Sequence, residues 1–308
     1  MIGILLASYN GEKYISEQLD SLFRQSVQDF VVVVGDDGST DGTMGLLKRY
    51  AVKFPGRILV VHNTLQQGAK YNFLSLMKTY KFDYVMLCDQ DDVWLDTKIE
   101  RTMQVMKELE AEYGTMTPLL VHTDLRVVDE LLHTVTNSFR LMENLRYDHT
   151  FLNNQIIQNT LTGCTAMYNR ALAELIIQTP NFFIVHDWWL MLIASAFGKI
   201  HPLNEVTILY RQHSKNEIGA KDVKSLSYMA KRFIFGSENI KKVLNETYVQ
   251  AQSFLDMYRN LLSPEQITFL NDYVKIPKYG KIKRVKEMYR LKVKKNGFFR
   301  QIGQLIFG

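Results

Sequence analysis

Cysteine is nearly absent from the 308 residues, with only Cys88 and Cys164, each inside an apolar run. Two such thiols exclude a disulfide-stapled scaffold, fit a reducing compartment and offer too little for a cysteine zinc centre. His122, His133, His149 and His201 have no mutual spacing that would supply one either. No stretch approaches 18 uninterrupted apolar residues, which argues against a transmembrane helix. The opening run Ile2-Gly3-Ile4-Leu5-Leu6 lacks a preceding basic region and a small-residue cleavage site, so it reads as a first strand rather than a signal peptide. There is no P-loop phosphate signature and no glycine-rich dinucleotide fingerprint after that strand, so neither nucleotide fold is supported. Nor is there an RNP-like strand, zinc finger or recognition helix, which leaves nucleic acid out as a partner.

What is present is a well-cored globular composition, 46% apolar with 12% aromatics. The length suits one large domain with an appendage, or two modest domains. The formal charge of +5 is uneven: residues 281–308 hold nine Lys or Arg against one acid, Glu287, so the rest of the chain is net negative. Basicity therefore describes the tail and not the main body.

Through about residue 115 apolar strands alternate with periodic helices. Strands are expected over Ile2 to Ala7, Phe30 to Val34, Ile58 to Val61 and Tyr84 to Leu87, the second a continuous β-branched run as in a strand covered on both faces. Helical spacing follows each: Ile15 to Phe23, Thr43 to Tyr50, Ala69 to Met77 and Lys98 to Tyr113. Four such units predict an α/β fold with a mostly parallel sheet, whose ligand groups gather beyond the strand C-termini. Further strands are expected over Leu119 to His122, Thr162 to Tyr168 and Val206 to Tyr210. Helices are expected in 136–158, over Leu172 to Ile177 and from about Asp187. Beyond residue 220 Lys-rich helical segments dominate, at 224–234, 238–262 and 281–303.

The stretch Cys88-Asp89-Gln90-Asp91-Asp92-Val93-Trp94 sets three carboxylates at the end of the fourth strand. Such a cluster repels itself unless a cation with oxygen ligands sits in it, and Mg²⁺ or Mn²⁺ bound there would also grip a diphosphate. A solvated acidic turn is the plainer account of the motif alone. Other strand ends add to it: Ser8 and Tyr9 supply a hydroxyl and a ring able to lie against a base, and Asp37 could accept a pyrimidine imide N–H. Lys70 and Asn72, after Gly68, lie at a loop-to-helix transition on the same sheet edge and could shape the donor site, or be no more than a helix N-terminus.

Seven segments in order, LLASYNGEKYISEQLDSLFRQS (5–26), VGDDGSTDGT (34–43), CDQDDVW (88–94), LVHTDLRVVD (120–129), LTGCTAMYNR (161–170), HDWWL (186–190) and YRQHSKNEIGA (210–220), resemble a known family. The chain is similar to family 2 glycosyltransferases of the GT-A fold, within them the bacterial rhamnosyltransferase-like group that decorates surface polysaccharides. The resemblance covers about 220 residues, so 1–220 is expected to be the catalytic domain and 221–308 a helical, basic C-terminal region.

That resemblance implies that Ser8, Tyr9 and Asp37 hold the nucleoside and that Asp89 approaches the ribose and nucleotide. It implies that Asp91 ligates Mn²⁺ or Mg²⁺ on the diphosphate, and that Arg211 and His213 approach diphosphate or metal from a flexible loop. Thr162, Gly163 and Cys164 would line the acceptor side, and Asp187 would be the base of an inverting reaction. The first acidic turn reads Gly-Asp-Asp where many members have Val or Ser first.

In such a reaction the metal and Arg211 stabilise the departing diphosphate while Asp187 removes the acceptor proton from the opposite side. Asp187 is also an ordinary N-cap before Trp188-Trp189-Leu190. His186, Trp188 and Trp189 are candidates for the acceptor side; His186 reads first as a packed neighbour, and the two tryptophans as core residues, one of which could stack on a sugar ring. The implied donor is dTDP-rhamnose, with a UDP-hexose or a non-catalytic nucleotide-binding scaffold as alternatives. The acceptor would be a saccharide or a polyprenyl-diphosphate-linked one. The tail, with Ile282, Val285, Met288, Tyr289 and Val293 among lysines, suits either packing on its own domain or an anionic membrane surface. The implied location is cytoplasmic, peripheral on the inner face of a bacterial plasma membrane.

Overall fold

Every residue of Ile2–Ser8 (β1) is buried, which is why it reads as an apolar run without alternation. In the computed structural model, which describes residues 1–63, 66–213 and 237–307, β1 lies between two parallel neighbours. These are Phe30–Asp36 (β2) and Tyr84–Cys88 (β4), and Ile58–His62 (β3) extends the parallel set beyond β2. Helices α1 (Ile15–Phe23), α2 (Thr43–Lys53), α3 (Ala69–Thr79) and α4 (Lys98–Tyr113) fall where the periodicity predicts, α2 and α3 running slightly longer.

The register fixes the site edge. Ser8 pairs with Asp36 and Leu6 with Cys88, so β1, β2 and β4 end together and release their polar loops on one side. The two-residue strand Val93–Trp94 (β5) is too short to carry a strand signal in the sequence. The remaining strands are β6 (Leu119–Val128), β7 (Thr134–Thr136), β8 (Ala166–Asn169) and β9 (Lys199–Arg211), giving the order β3-β2-β1-β4-β8-β6-β9-β5 with β7 beside β6. The sheet is mixed: β8 is antiparallel to β4 and β6, β9 runs parallel to β6, and β5 pairs antiparallel with β9.

Local expectations change as well, β9 starting at Lys199 rather than Val206. Thr162 to Tyr168 is not one strand, because Gly163–Thr165 forms a 3₁₀ turn before β8. The helix expected over Leu172 to Ile177 is instead the single turn Arg170–Ala173, capped by the Asn169 side chain accepting from Leu172 N.

The chain forms two compact units, one of residues 1–139, 161–178 and 198–220, the other of 140–160, 179–197 and 221–308. The expected boundary at 220/221 and the helix at 224–234 lie outside the described residues. In the second unit, helix His186–Phe197 packs Trp189 against Phe183, Phe254 and Tyr258, the last two from helix Ser237–Tyr258. Helix Pro264–Lys275 starts with a Ser263–Gln266 capping box, and Gln266 Nε2 also donates to the Ala196 carbonyl at 2.7 Å. The tail read as one helix over 281–303 is two, Lys281–Arg290 and Phe298–Phe307, with left-handed backbone at Lys292 (φ 55°) and Gly297 (φ 83°) between them.

Candidate active site

The antiparallel pairing of Val93 with Leu209 and Trp94 with Ile208 runs Arg211 back alongside the acidic loop 89–92. Arg211 N donates to Asp92 Oδ1 at 3.0 Å and its Nε to the Asp91 carbonyl at 2.8 Å. The guanidinium also bonds the Glu130 carbonyl at 2.6 Å and the Glu17 carboxylate, and lies over the Tyr14 ring. The expectation of a flexible-loop arginine is therefore corrected: Arg211 closes β9, is buried, and its donors brace the acidic loop from beneath.

His213, two residues on, stacks on Tyr14 (centroids 4.7 Å apart, 21° between planes) and puts Nε2 2.8 Å from Asp91 Oδ2. The two residues expected to share a metal are thus adjacent. Asp92 is different in kind, because burial first, and then the negative Asp91 and Asp89, push its carboxyl well above the usual carboxylate range. The Cys164 thiol lies against Asp92, and burial raises it too. Asp89, Asp92 and Cys164 hold their ligating atoms within 4.8 Å of one another, close enough to share one ion. A thiol suits softer metals, whereas the carboxylate–imidazole pair of Asp91 and His213 suits Mn²⁺. Both groups draw on the single loop 89–92, which makes it the candidate divalent-metal centre.

Sequence reasoning passed over two residues of this loop region. Gln90 bonds the backbone of Tyr9 in both directions. Lys98, the first residue of α4, is fully buried with its ammonium 4.7 Å over the Trp94 ring and 3.4 Å from Thr207 Oγ1; burial pulls it down to about 8. Lysine at a helix start reads as a solvated residue, and only the β5–β9 pairing shows that it is enclosed.

On the nucleoside side, Ser8 is buried at the end of β1 and its hydroxyl has no hydrogen-bond partner among the described residues. Tyr9 is 38% exposed, its ring open to a ligand. Asp37 is buried and already engaged: Oδ1 accepts from Asn63 Nδ2 (3.3 Å) and Gln67 N (3.1 Å), Oδ2 from Gln67 N (3.0 Å) and Gly68 N (2.7 Å). Asn72 bonds the Gly35 carbonyl at 2.7 Å from within the sheet edge, so its amide shapes the turn. Lys70 is half-buried with its ammonium 4.8 Å over Tyr71.

Thr162 is half-buried and its carbonyl accepts from Thr165 N and Oγ1; Gly163 and Cys164 behind it are buried. In the second unit, Asp187 sits in the first turn of its helix and accepts from Asn159 Nδ2 at 3.0 Å, a partner that sequence did not suggest. Burial pulls the His186 imidazole down to about 3, so it is neutral. Trp188 is buried with Nε1 donating to the Gln155 carbonyl at 2.6 Å. Trp189 is 1% exposed, so its reading as a surface for a sugar is corrected to core packing.

Residues 4–176 match the family described as glycosyl transferase family 2. The chain belongs to that family, as a glycosyltransferase of nucleotide-sugar donors with a candidate metal centre. It is 27% identical over 243 residues to dTDP-rhamnosyl transferase RfbG of Shigella flexneri, covering 73% of this chain and 76% of that one. It is 29% identical over 214 residues to the putative teichuronic acid biosynthesis glycosyltransferase TuaG of Bacillus subtilis, 68% and 79% of the two chains. Among solved structures, S. aureus TarS in complex with UDP-GlcNAc aligns with a TM-score of 0.60 at 18% identity, over 94% of this chain and 72% of that one. Mannosyltransferase PcManGT of Pyrobaculum calidifontis, in complex with GDP-Man and Mn²⁺, aligns at 0.54 and 17%, over 94% and 78%. The fold is thus the GT-A nucleotide-sugar fold expected, with a mixed, mostly parallel sheet and a C-terminal helical region.

Proposed function

We propose that the chain transfers a sugar with inversion from a pyrimidine nucleoside diphosphate, dTDP-rhamnose foremost, to a saccharide or polyprenyl-diphosphate-linked acceptor in bacterial surface-polysaccharide assembly. The observation that carries the reading is the Asp91–His213 pair, 2.8 Å apart at the mouth of the sheet, beside an unsatisfied Ser8 hydroxyl and an open Tyr9 ring. The similarity to a dTDP-rhamnosyl transferase favours the donor.

In this reading Asp91 and His213 hold Mn²⁺ or Mg²⁺, which when bound offsets charge on the leaving diphosphate. Ser8 and Tyr9 hold the nucleoside, with Asp89 near the ribose. Lys70 and Asn72 border the donor. Asp37 reads the base, and because its oxygens already take four contacts, an imide N–H must displace one of those from residues 63–68. Arg211 acts by holding the Asp91 carbonyl and the Asp92 carboxylate in place. Asp187, aimed by Asn159, takes the proton from the acceptor hydroxyl as the oxygen attacks the anomeric carbon. Thr162, Gly163, Cys164, His186 and Trp188 border the acceptor. The work would be done at the cytoplasmic face of the plasma membrane.

Titration of dTDP, UDP and GDP, each with and without Mn²⁺, is expected to show metal-dependent pyrimidine preference. Asp91→Ala should weaken that binding at least tenfold. Asp187→Asn should abolish transfer while donor affinity stays within about twofold, since a lost base affects the transition state alone. A GDP preference, or transfer that survives Asp187→Asn, refutes the assignment.

A further inference from the structure

We propose that Gln90 is a positioning residue that locks the Tyr9 platform to the acidic loop, so that nucleoside and diphosphate meet one rigid frame. The inference rests on the donor-binding roles assigned above to Tyr9 and Asp91. Tyr9 N donates to Gln90 Oε1 at 2.9 Å, and Gln90 Nε2 donates to the Tyr9 carbonyl at 3.0 Å. A primary amide carries an acceptor oxygen and a donor nitrogen side by side on separate atoms, so both backbone groups of Tyr9 are satisfied by one residue from a loop 81 positions away. Gly11 completes the fit: a Cβ there would overlap Gln90 Oε1.

The rest of the β1 loop is fastened in a different direction. Asn10 N donates to Ser39 Oγ, Thr40 N to Asn10 Oδ1 and Gly11 N to Thr43 Oγ1, each at 2.8 Å, and Gly42 N to Glu12 Oε2 at 2.9 Å. Those bonds tie residues 10–12 to the loop after β2. Gln90 ties the same segment to the loop after β4, between Asp89 and Asp91. Asn10, held at φ 46°, is left-handed backbone that such a three-way junction can retain. The Tyr9 ring, exposed at the junction, is thereby set at a fixed offset from the carboxylates that flank Gln90. Loss of the tie leaves both groups present and their spacing loose, which weakens ground-state donor binding rather than the chemical step.

Gln90→Met keeps length and removes both bonds. Its KM for the nucleotide-sugar donor should rise roughly tenfold, the worth of one to two neutral hydrogen bonds, with kcat within about threefold. The Kd for dTDP with Mn²⁺ should rise in step, while the Kd for Mn²⁺ alone stays put. Because the effect passes through Tyr9, adding Gln90→Met to Tyr9→Ala should change the donor KM no further. Gly11→Ala, which pushes the amide aside, should reproduce the KM effect in a second background. Independent multiplication of the Tyr9 and Gln90 effects overturns the proposal. So does a lowered Tm with unchanged donor KM, the mark of a mere brace. A wild-type chain that binds no nucleoside diphosphate with Mn²⁺ refutes the donor reading itself, and does so before any variant is made.

Discussion

Burial sets the ionisation of single residues here more than ion pairing does. His122 in β6 and His186 both titrate far below an ordinary imidazole, each pulled down to about 3 by burial. Both are neutral in the folded chain at pH 7, while in the unfolded chain they take up protons near pH 6.5. A depressed folded value means that stability is fully present above about pH 6.5 and is lost as pH falls toward 3. Each histidine should cost up to about 1.4 kcal/mol of stability per pH unit over that window. Urea melts between pH 7 and pH 5 test this, with His122→Asn expected to remove about half of the slope. A wild-type midpoint indifferent to pH over that range would contradict it.

Among secondary-structure elements, β9 does the most to assemble the site, since its far end delivers Arg211 to the acidic loop and its near end meets β6. The turn into it is tight: Lys199 N donates to the Pro118 carbonyl at 2.9 Å, and a Cβ on Gly198 would fall on that carbonyl. Gly198→Ala should therefore cost about 2 kcal/mol, the usual price of overpacking against backbone, read as a lower denaturation midpoint at constant m-value. An unchanged midpoint would show that the turn relaxes freely.

This element also marks what the sequence made legible. The parallel half could be read because β1 to β4 are apolar runs punctuated by helical periods, and Asp37 and Asp89 lie at their ends. Beyond β4 the strands β6, β8 and β9 could be read only as fragments, and β5 could not be read at all, because it is two residues long and pairs with a strand more than a hundred positions away. Lys98 and the anchoring of Arg211 follow from that pairing alone, so they were invisible. Asn159 reaches Asp187 from just past the helices expected in 136–158, and no spacing links the two residues. The break in the tail at residues 291–297 depends on left-handed backbone at Lys292, a residue with no turn signature.

For the whole molecule, the question is where it works. No helix among the described residues is long and apolar enough to cross a membrane. Helix Lys281–Arg290 buries Met288 yet leaves Ile282 and Tyr289 78% and 68% exposed, one face with Lys286 and beside Lys281 and Lys283. Those three lysines pair with no carboxylate among the described residues. Lys283 lies 3.9 Å over the Tyr279 ring, and exposed apolar side chains beside such lysines are what an anionic bilayer surface would recruit. The full chain is expected to cosediment with phosphatidylglycerol vesicles and not with phosphatidylcholine ones. Ile282→Ser with Tyr289→Ser should weaken capture at least fivefold, and equal retention by both vesicle types would count against a role for this helix.

The aromatic packing of Trp189 carries a practical lesson for anyone seeking a minimal enzyme. The helix that bears Asp187 takes its greasy lining from Phe254 and Tyr258, well beyond the family-matched residues 4–176. A fragment trimmed to the recognisable motifs would strip that lining, leaving the Trp189 indole with Phe183 but without Phe254 and Tyr258. Such a truncate should be insoluble before it is inactive, and tail-swapped chimeras will fare no better unless the grafted segment brings matching rings.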